Sequence, residues 1–386
     1  MDQPSPEIHG TCHPRYARVA EAFAEGFRAR GEIGAALAIH LDGEPVVDLY
    51  AGHADPGRTR PWARDTIVHL YSTTKGMASL CAHRLLERGA LELGAPVARY
   101  WPEFALRGKG AIPVAWLLSH RAGLQALREP LPPESLYDPD AMAAALAAAA
   151  PCIPPGRLGY HPMTFGWLVG ELVRRVDGRS LGRFFREEIA EPLGADLHVG
   201  LGPAEEKRAA DITDLTPPPE LAAAFGDAGS GELPLVLLAF VNPSGTGDHN
   251  SAQHRRAEIP AINGHGSAAA LARIYGALAR GGEVDGVRVL APGSVELART
   301  PQAEGVDPLL GIPLRMGLGY WVSQPRVRGY AFGPNEGAFG HPGAGGSLGF
   351  ADPAARVGFG YVTNRMGSGI EIDERPQALM DAFYAS

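Results

Sequence analysis

Leu70-Tyr71-Ser72-Thr73-Thr74-Lys75 is the stretch on which the reading of this chain turns. Ser72 and Lys75 stand three residues apart. On a helix such positions share a face, with Cβ atoms about 5–6 Å apart. A serine in the first turn and a lysine one turn on therefore bring Oγ and Nζ within reach. Met77, Cys81 and Leu85 follow as an apolar stripe and Gly89 supplies a stop, so the pattern predicts a helix over 73–88. A serine becomes a nucleophile when a base stands beside it, and a lysine is such a base when neutral. Burial lowers a lysine pKa, and so does the positive end of a helix. Composition sharpens the signal. Of 35 lysines and arginines only Lys75, Lys109 and Lys207 are lysine. Arginine serves nearly everywhere else, yet it could not give up a proton at this helix start.

Working outward, residues 14–30 carry Val19, Phe23 and Phe27 at a spacing of four, which predicts an amphipathic helix. Two apolar runs, 33–40 and 46–52, flank Asp42-Gly43, a hairpin signal. From about 91 to 290 the pattern is helical segments cut by loops rich in proline and glycine. Among them are 141–150, 165–176 and a helix capped by Ser267 that runs to about Arg280. Between Asp211 and Ala261 no period persists except over 235–241, and so long a stretch is expected to cover a cleft as a lid. Strand-like runs return at 316–322, 346–351 and 357–362, and 373–384 closes the chain as a helix. The expected fold is α+β. Residues 1–90 and 291–386 build an antiparallel sheet flanked by helices, and 91–290 form a mostly helical inserted domain.

A formal net charge of −8 excludes nucleic acid as an expected partner. Hydrophobic residues at 45% and charged residues at 20% are ordinary for a soluble globular chain. The three cysteines, Cys12, Cys81 and Cys152, cannot all pair and show no metal-ligand spacing; His249 and His254 lie in a polar loop. No metal site is expected. The first residues lack a signal-peptide pattern, and the longest apolar runs fall short of the ~18 residues a membrane span needs. A cytoplasmic protein with no membrane partner is expected.

Two G-x-S-x-G stretches compete for the nucleophile. Gly178-Arg179-Ser180-Leu181-Gly182 follows an amphipathic helix rather than a strand, so Ser180 reads as a cap. In Gly345-Gly346-Ser347-Leu348-Gly349, Asp352-Pro353 follows at once and no histidine lies downstream. Neither meets the strand–turn–helix order that such an elbow needs.

Ser72-Thr73-Thr74-Lys75, then Leu117-Leu118-Ser119-His120-Arg121-Ala122-Gly123-Leu124, then Tyr160-His161-Pro162, then Gly340-His341-Pro342-Gly343 stand in the order of a known superfamily. The chain resembles the serine β-lactamases and penicillin-binding proteins, and most of all their class C-like branch, which includes the family VIII carboxylesterases. The resemblance implies a cleft between a sheet domain and a helical domain, and a covalent acyl-enzyme. Carried over by position, Ser72 is the nucleophile, Lys75 the activating base and Tyr160 the group that protonates the leaving group. The backbone N–H groups of Ser72 and Ala344 would form the oxyanion hole, and His341, Gly343 and His161 would line the substrate. Tyr160 also follows a turn-rich loop, 154–159, that can hold a phenol at a cleft rim. Such a phenol needs a cationic neighbour to act near neutral pH, and Lys75 is expected to supply it.

Two positions depart from the penicillin-directed pattern. Pro162 stands where an asparagine binds the acyl-amide, and His341 where a lysine helps to hold the substrate carboxylate. Both weaken recognition of β-lactams and D-alanyl peptides and leave acyl transfer intact. The expected activity is therefore a carboxylesterase acting on short to medium acyl esters. The alternatives are a β-lactamase or D-amino-acid peptidase or amidase, an acyltransferase that uses an acceptor other than water, and, from a different class, a non-catalytic binding module. The expected partner is a small-molecule ester, with no metal or organic cofactor.

Overall fold

Asp42 and Gly43 both take positive φ, 55° and 91°, the backbone that a two-residue hairpin turn needs. They join the strands Gly34–Leu41 and Glu44–Gly52 in the computed structural model, which describes residues 6–213, 234–243 and 248–386. That hairpin is the N-terminal part of a nine-stranded, wholly antiparallel sheet. In spatial order the strands are Ile8–Cys12, Glu44–Gly52, Gly34–Leu41, Val357–Thr363, Leu348–Asp352, Phe339–Pro342, Trp321–Val322, Pro313–Met316 and Ala303–Val306. The last long strand pairs with the first hairpin, Tyr361 opposite Leu37 and Phe359 opposite Ile39. Both ends of the chain thus build one sheet, as the sequence led us to expect.

One face of the sheet buries Phe350, Phe359 and Leu37 under the helices Ala17–Ala29 and Glu374–Tyr384. The other face is lined by Gly349, Gly358 and Gly360. A Cβ at any of these would overlap Tyr275, the Gly276 amide or the Ala268 carbonyl. Their absence of side chains lets the helix Ala268–Ala279 lie directly on the strands. Ser267 caps that helix by accepting the Ala270 N–H. By chain position the helix falls inside 91–290, yet it packs on the sheet.

The segment 316–322 is not one strand. Gly319, at φ +87°, sits in a turn that splits it into Pro313–Met316 and Trp321–Val322, with Met316 opposite Trp321. The strands Ala303–Val306 and Phe339–Pro342, and a small sheet of Val68–His69, Gly264–Gly266 and Leu197–Val199, had no counterpart in the sequence reading. Strands of two to four residues are too short to display a period. Of the expected lid, residues 214–233 and 244–247 lie outside the described residues. Of its remainder, Leu235–Val241 is a helix that buries Leu238 and Ala239 against Ala126. Among the described residues no helix is long and apolar enough to cross a membrane.

Candidate active site

From residue 66 to residue 83 every side chain is buried except that of Ser72. The chain reaches it along Val68–His69 and turns at Tyr71, whose φ of +44° is unusual for a residue with a Cβ. A 3₁₀ turn, Tyr71–Thr73, then leads into the helix Thr74–Glu87. Such a backbone costs about 1–3 kcal/mol and persists only where the surroundings fix it. Here the Leu70 N–H is held by the Gly264 carbonyl at 2.8 Å, and the Tyr71 ring packs edge-on to His69 at 4.2 Å.

A second turn locks onto the first. Ser347 Oγ donates to the Leu70 carbonyl at 2.7 Å and lies 3.1 Å from Thr73 Oγ1, which in turn donates to the His341 carbonyl at 3.2 Å. Gly343 makes this approach possible, because a Cβ there would overlap both the Leu70 carbonyl and the Ser347 hydroxyl. Ala344 opens the short turn that follows. The hydroxyl of Ser347 is thereby committed to holding the two turns together. Ser180 caps the helix Leu181–Phe185 and donates to Glu258 at 2.7 Å, as its position before that helix suggested.

Lys75 is 0% exposed. Its Nζ stands 2.9 Å from Ser72 Oγ and donates to the carbonyls of Pro162 at 2.7 Å and Ala261 at 3.1 Å. Burial holds its pKa well below the ordinary lysine value, and no carboxylate offsets that shift. A neutral amine has two N–H donors and one lone pair. Two carbonyls take the hydrogens, and the lone pair is left for the serine O–H. Pro162, which has no side-chain hydrogen bond to offer, contributes through its backbone oxygen.

Tyr160 is positioned by a strap. Gly159 N–H donates to the His120 carbonyl at 3.0 Å, and His161 N–H to His120 Nδ1 at 2.9 Å. Tyr160 N–H donates to the fully buried Asp307 carboxylate at 2.5 Å, and Asp307 also accepts from the Leu309 and Leu310 amides. The His120 ring stacks on the phenol at 4.7 Å. The phenol meets the Ser72 hydroxyl, lies 3.4 Å from His341 Nε2, and places its ring face 5.1 Å from Lys75 Nζ. Burial pushes its pKa up, the Ser72 hydrogen bond opposes this, and Asp307 adds to it. The expected assistance from a cationic Lys75 is therefore not what this site provides. Desolvation acts on both groups and favours a protonated phenol beside a neutral amine.

His341 is fully buried. Its Nδ1 lies 2.6 Å from the Pro342 carbonyl, which can only accept, so the ring hydrogen is assigned to Nδ1. Nε2 then faces Tyr160 as a lone pair. Burial, with Lys75 adding to it, keeps this ring neutral. His161, expected beside the substrate, is instead turned inward. Its Nε2 accepts the Leu124 N–H at 3.1 Å, and burial lowers its pKa to about 3. It stiffens the strap from behind. His120 and Asp307 are the positioning residues that sequence reasoning missed. His120 lies within a quoted motif, but nothing local marks Asp307.

The structure also gathers His69, His249 and His254 into a set able to hold a metal ion. In the sequence the last two stand in a polar loop without such a pattern, because their third member lies 180 positions upstream.

A family model described as Beta-lactamase matches residues 19–382. The esterase/beta-lactamase LipL of Mycobacterium tuberculosis is 40% identical over 373 residues, which cover 93% of this chain and 83% of LipL. The crystal structure of a family VIII carboxylesterase superposes with a TM-score of 0.89 at 39% identity, covering 98% of this chain and 99% of that one. A penicillin-binding-protein homologue from Caulobacter crescentus superposes with a TM-score of 0.90 at 42% identity, over the same shares of the two chains.

Proposed function

The chain belongs to the beta-lactamase family of serine hydrolases, and from that premise we propose that it is a carboxylesterase cleaving short to medium acyl esters through an acyl-enzyme on Ser72. The observation that carries the reading is the neutral, buried Lys75 amine held 2.9 Å from Ser72, the one side chain between residues 66 and 83 that is not buried. Ser72 Oγ attacks the ester carbonyl carbon and its proton passes to the lone pair of Lys75. The N–H groups of Ser72 and Ala344 receive the developing oxyanion, a contribution of about 3 kcal/mol per donor. As the C–O bond to the alcohol breaks, Tyr160 gives its proton to the departing oxygen, and the ammonium on Lys75 restores the phenol. Water then attacks the acyl-enzyme with the same two groups moving its proton, and the acid leaves.

An ester is favoured over a β-lactam by what the wall lacks. The His341 ring is neutral and engaged with Tyr160 and Pro342, so it offers no cation to a substrate carboxylate. Pro162 offers no side-chain amide. The name of LipL keeps hydrolysis of β-lactams as the second reading. Purified protein assayed with p-nitrophenyl butyrate beside nitrocefin separates the two. We expect ester turnover, an acyl adduct by intact mass, and loss of both in Ser72→Ala. Strong nitrocefin turnover without ester hydrolysis would reverse the order.

A further inference from the structure

His69 ends a short strand three residues before Ser72, His249 lies in a turn, and His254 lies in the helix Ala252–Arg256. One ring nitrogen from each lies within 4.8 Å of the other two. His249 Nδ1 and His254 Nε2 are 3.0 Å apart, and the His69 ring centre is 5.2 Å and 5.5 Å from theirs. Two nitrogens bound to one tetrahedral Zn²⁺ stand about 3.3 Å apart, so small ring movements bring the set to ligating distance. His69 Nε2 and His254 Nδ1 are buried with no hydrogen-bond partner among the described residues. Leaving such a group unpaired is unfavourable, and a bound ion that redirects the rings would recover part of that cost. Burial keeps these imidazoles neutral, the form that ligates. Arg255 faces His69 and His254 but is paired with Asp211 at 2.7 Å, and Asp248 faces His249.

We propose that His69, His249 and His254 form a three-imidazole site for a borderline divalent cation of the Zn²⁺ class, with a fourth position open to water, and that its occupancy reaches the nucleophile turn. The link is His69. Its Nδ1 accepts the Tyr71 N–H at 3.4 Å. If Nδ1 ligates, that lone pair is taken. If Nε2 ligates, the ring hydrogen moves to Nδ1. In both cases the Tyr71 amide loses its acceptor, at the residue whose strained backbone aims Ser72. Loading the site therefore slows acyl transfer. That second effect rests on the reading of Ser72 given above, whereas binding itself is measured without turnover.

The test titrates chelator-treated full-length protein with Zn²⁺ by calorimetry and with Co²⁺ by visible absorption. One equivalent should bind more tightly than about 10 μM, with Co²⁺ bands of low-coordinate nitrogen ligation. His249→Ala and His254→Gln should each weaken binding at least about tenfold, while the exposed-site control His9→Gln should not. The wild-type cobalt spectrum stands without any variant. Absence of saturable binding, or unchanged affinity in both variants, overturns the site. Each protein's ester turnover is then compared with its own metal-free rate. Stoichiometric Zn²⁺ should slow the wild type reversibly and spare His249→Ala; a loaded wild type at full rate overturns the link to Ser72 and leaves the binding result standing.

Discussion

An ammonium at zero exposure with no carboxylate beside it is unfavourable, so Lys75 rests as an amine. The consequence is a pH profile. Acyl transfer needs the neutral form, whose population rises with pH through the lysine's folded pKa. kcat/KM should therefore be flat on the alkaline side and fall on the acid side, with its midpoint well under 10.5, the ordinary lysine value. A midpoint near 10.5 would mean that Lys75 is not the base. Tyr160, pushed up by burial, stays protonated across the same range. Burial of a lysine is not by itself the signature. Lys109 is also buried, but its amine donates to the carbonyls of Leu106, Ala147 and Ala149 and lies over the Phe104 ring at 5.4 Å. Lys75 differs by the hydroxyl one helical turn back.

At the level of elements, the site is made where two turns press together. The turn into Thr74–Glu87 carries Ser72, the proposed nucleophile, and the turn after Phe339–Pro342 carries Gly343 and Ala344. Gly343 has an ordinary φ of −112°, so close approach rather than backbone strain requires the glycine. Gly343→Ala must push the turns apart against a backbone carbonyl. Displacements of about 1 Å at reacting groups can cost 10²-fold in rate. We expect kcat to fall about 10²-fold, as measured by steady-state ester hydrolysis, with the melting transition still cooperative. A kcat within twofold of wild type would show that the spacing of the turns does not set the rate. The same logic governs the back of the sheet, where Gly349, Gly358 and Gly360 let Ala268–Ala279 lie against the strands.

Across the whole molecule, one buried cluster ties the termini to the site. Arg375, in the C-terminal helix, donates to Glu32 at 3.4 Å, to the Gly345 carbonyl at 2.6 Å and to the Arg365 carbonyl at 2.8 Å. Glu32, before the first hairpin, also accepts from Thr363 at 2.7 Å and from Tyr361. Burial pushes the Glu32 carboxyl up, and Arg375 opposes it. Removing one partner of such a buried pair leaves the other uncompensated, at a cost of about 3–5 kcal/mol. Arg375→Met should lose that much in urea unfolding. Arg375→Met combined with Glu32→Leu should recover part of it, because the orphaned carboxylate is gone. No recovery would place the role of Arg375 in its carbonyl contacts and in its ion pair with Asp373 at 2.7 Å instead.

The sequence by itself determined what short-range geometry dictates. The i, i+3 spacing of Ser72 and Lys75, the Asp42-Gly43 turn, and the caps at Ser180 and Ser267 each involve atoms a few residues apart, so side-chain identity and spacing suffice. Motif order then carried Tyr160 to the site. Only the tertiary structure decided which backbone carbonyls hold Lys75, that Asp307 and His120 fix the Tyr160 strap, that His161 points inward, and that His69 meets His249 and His254. Carbonyl oxygens look alike in every residue, and rings about 180 positions apart share no local period. Their meeting is set by how the layers pack, a property of the whole chain that no window of sequence contains.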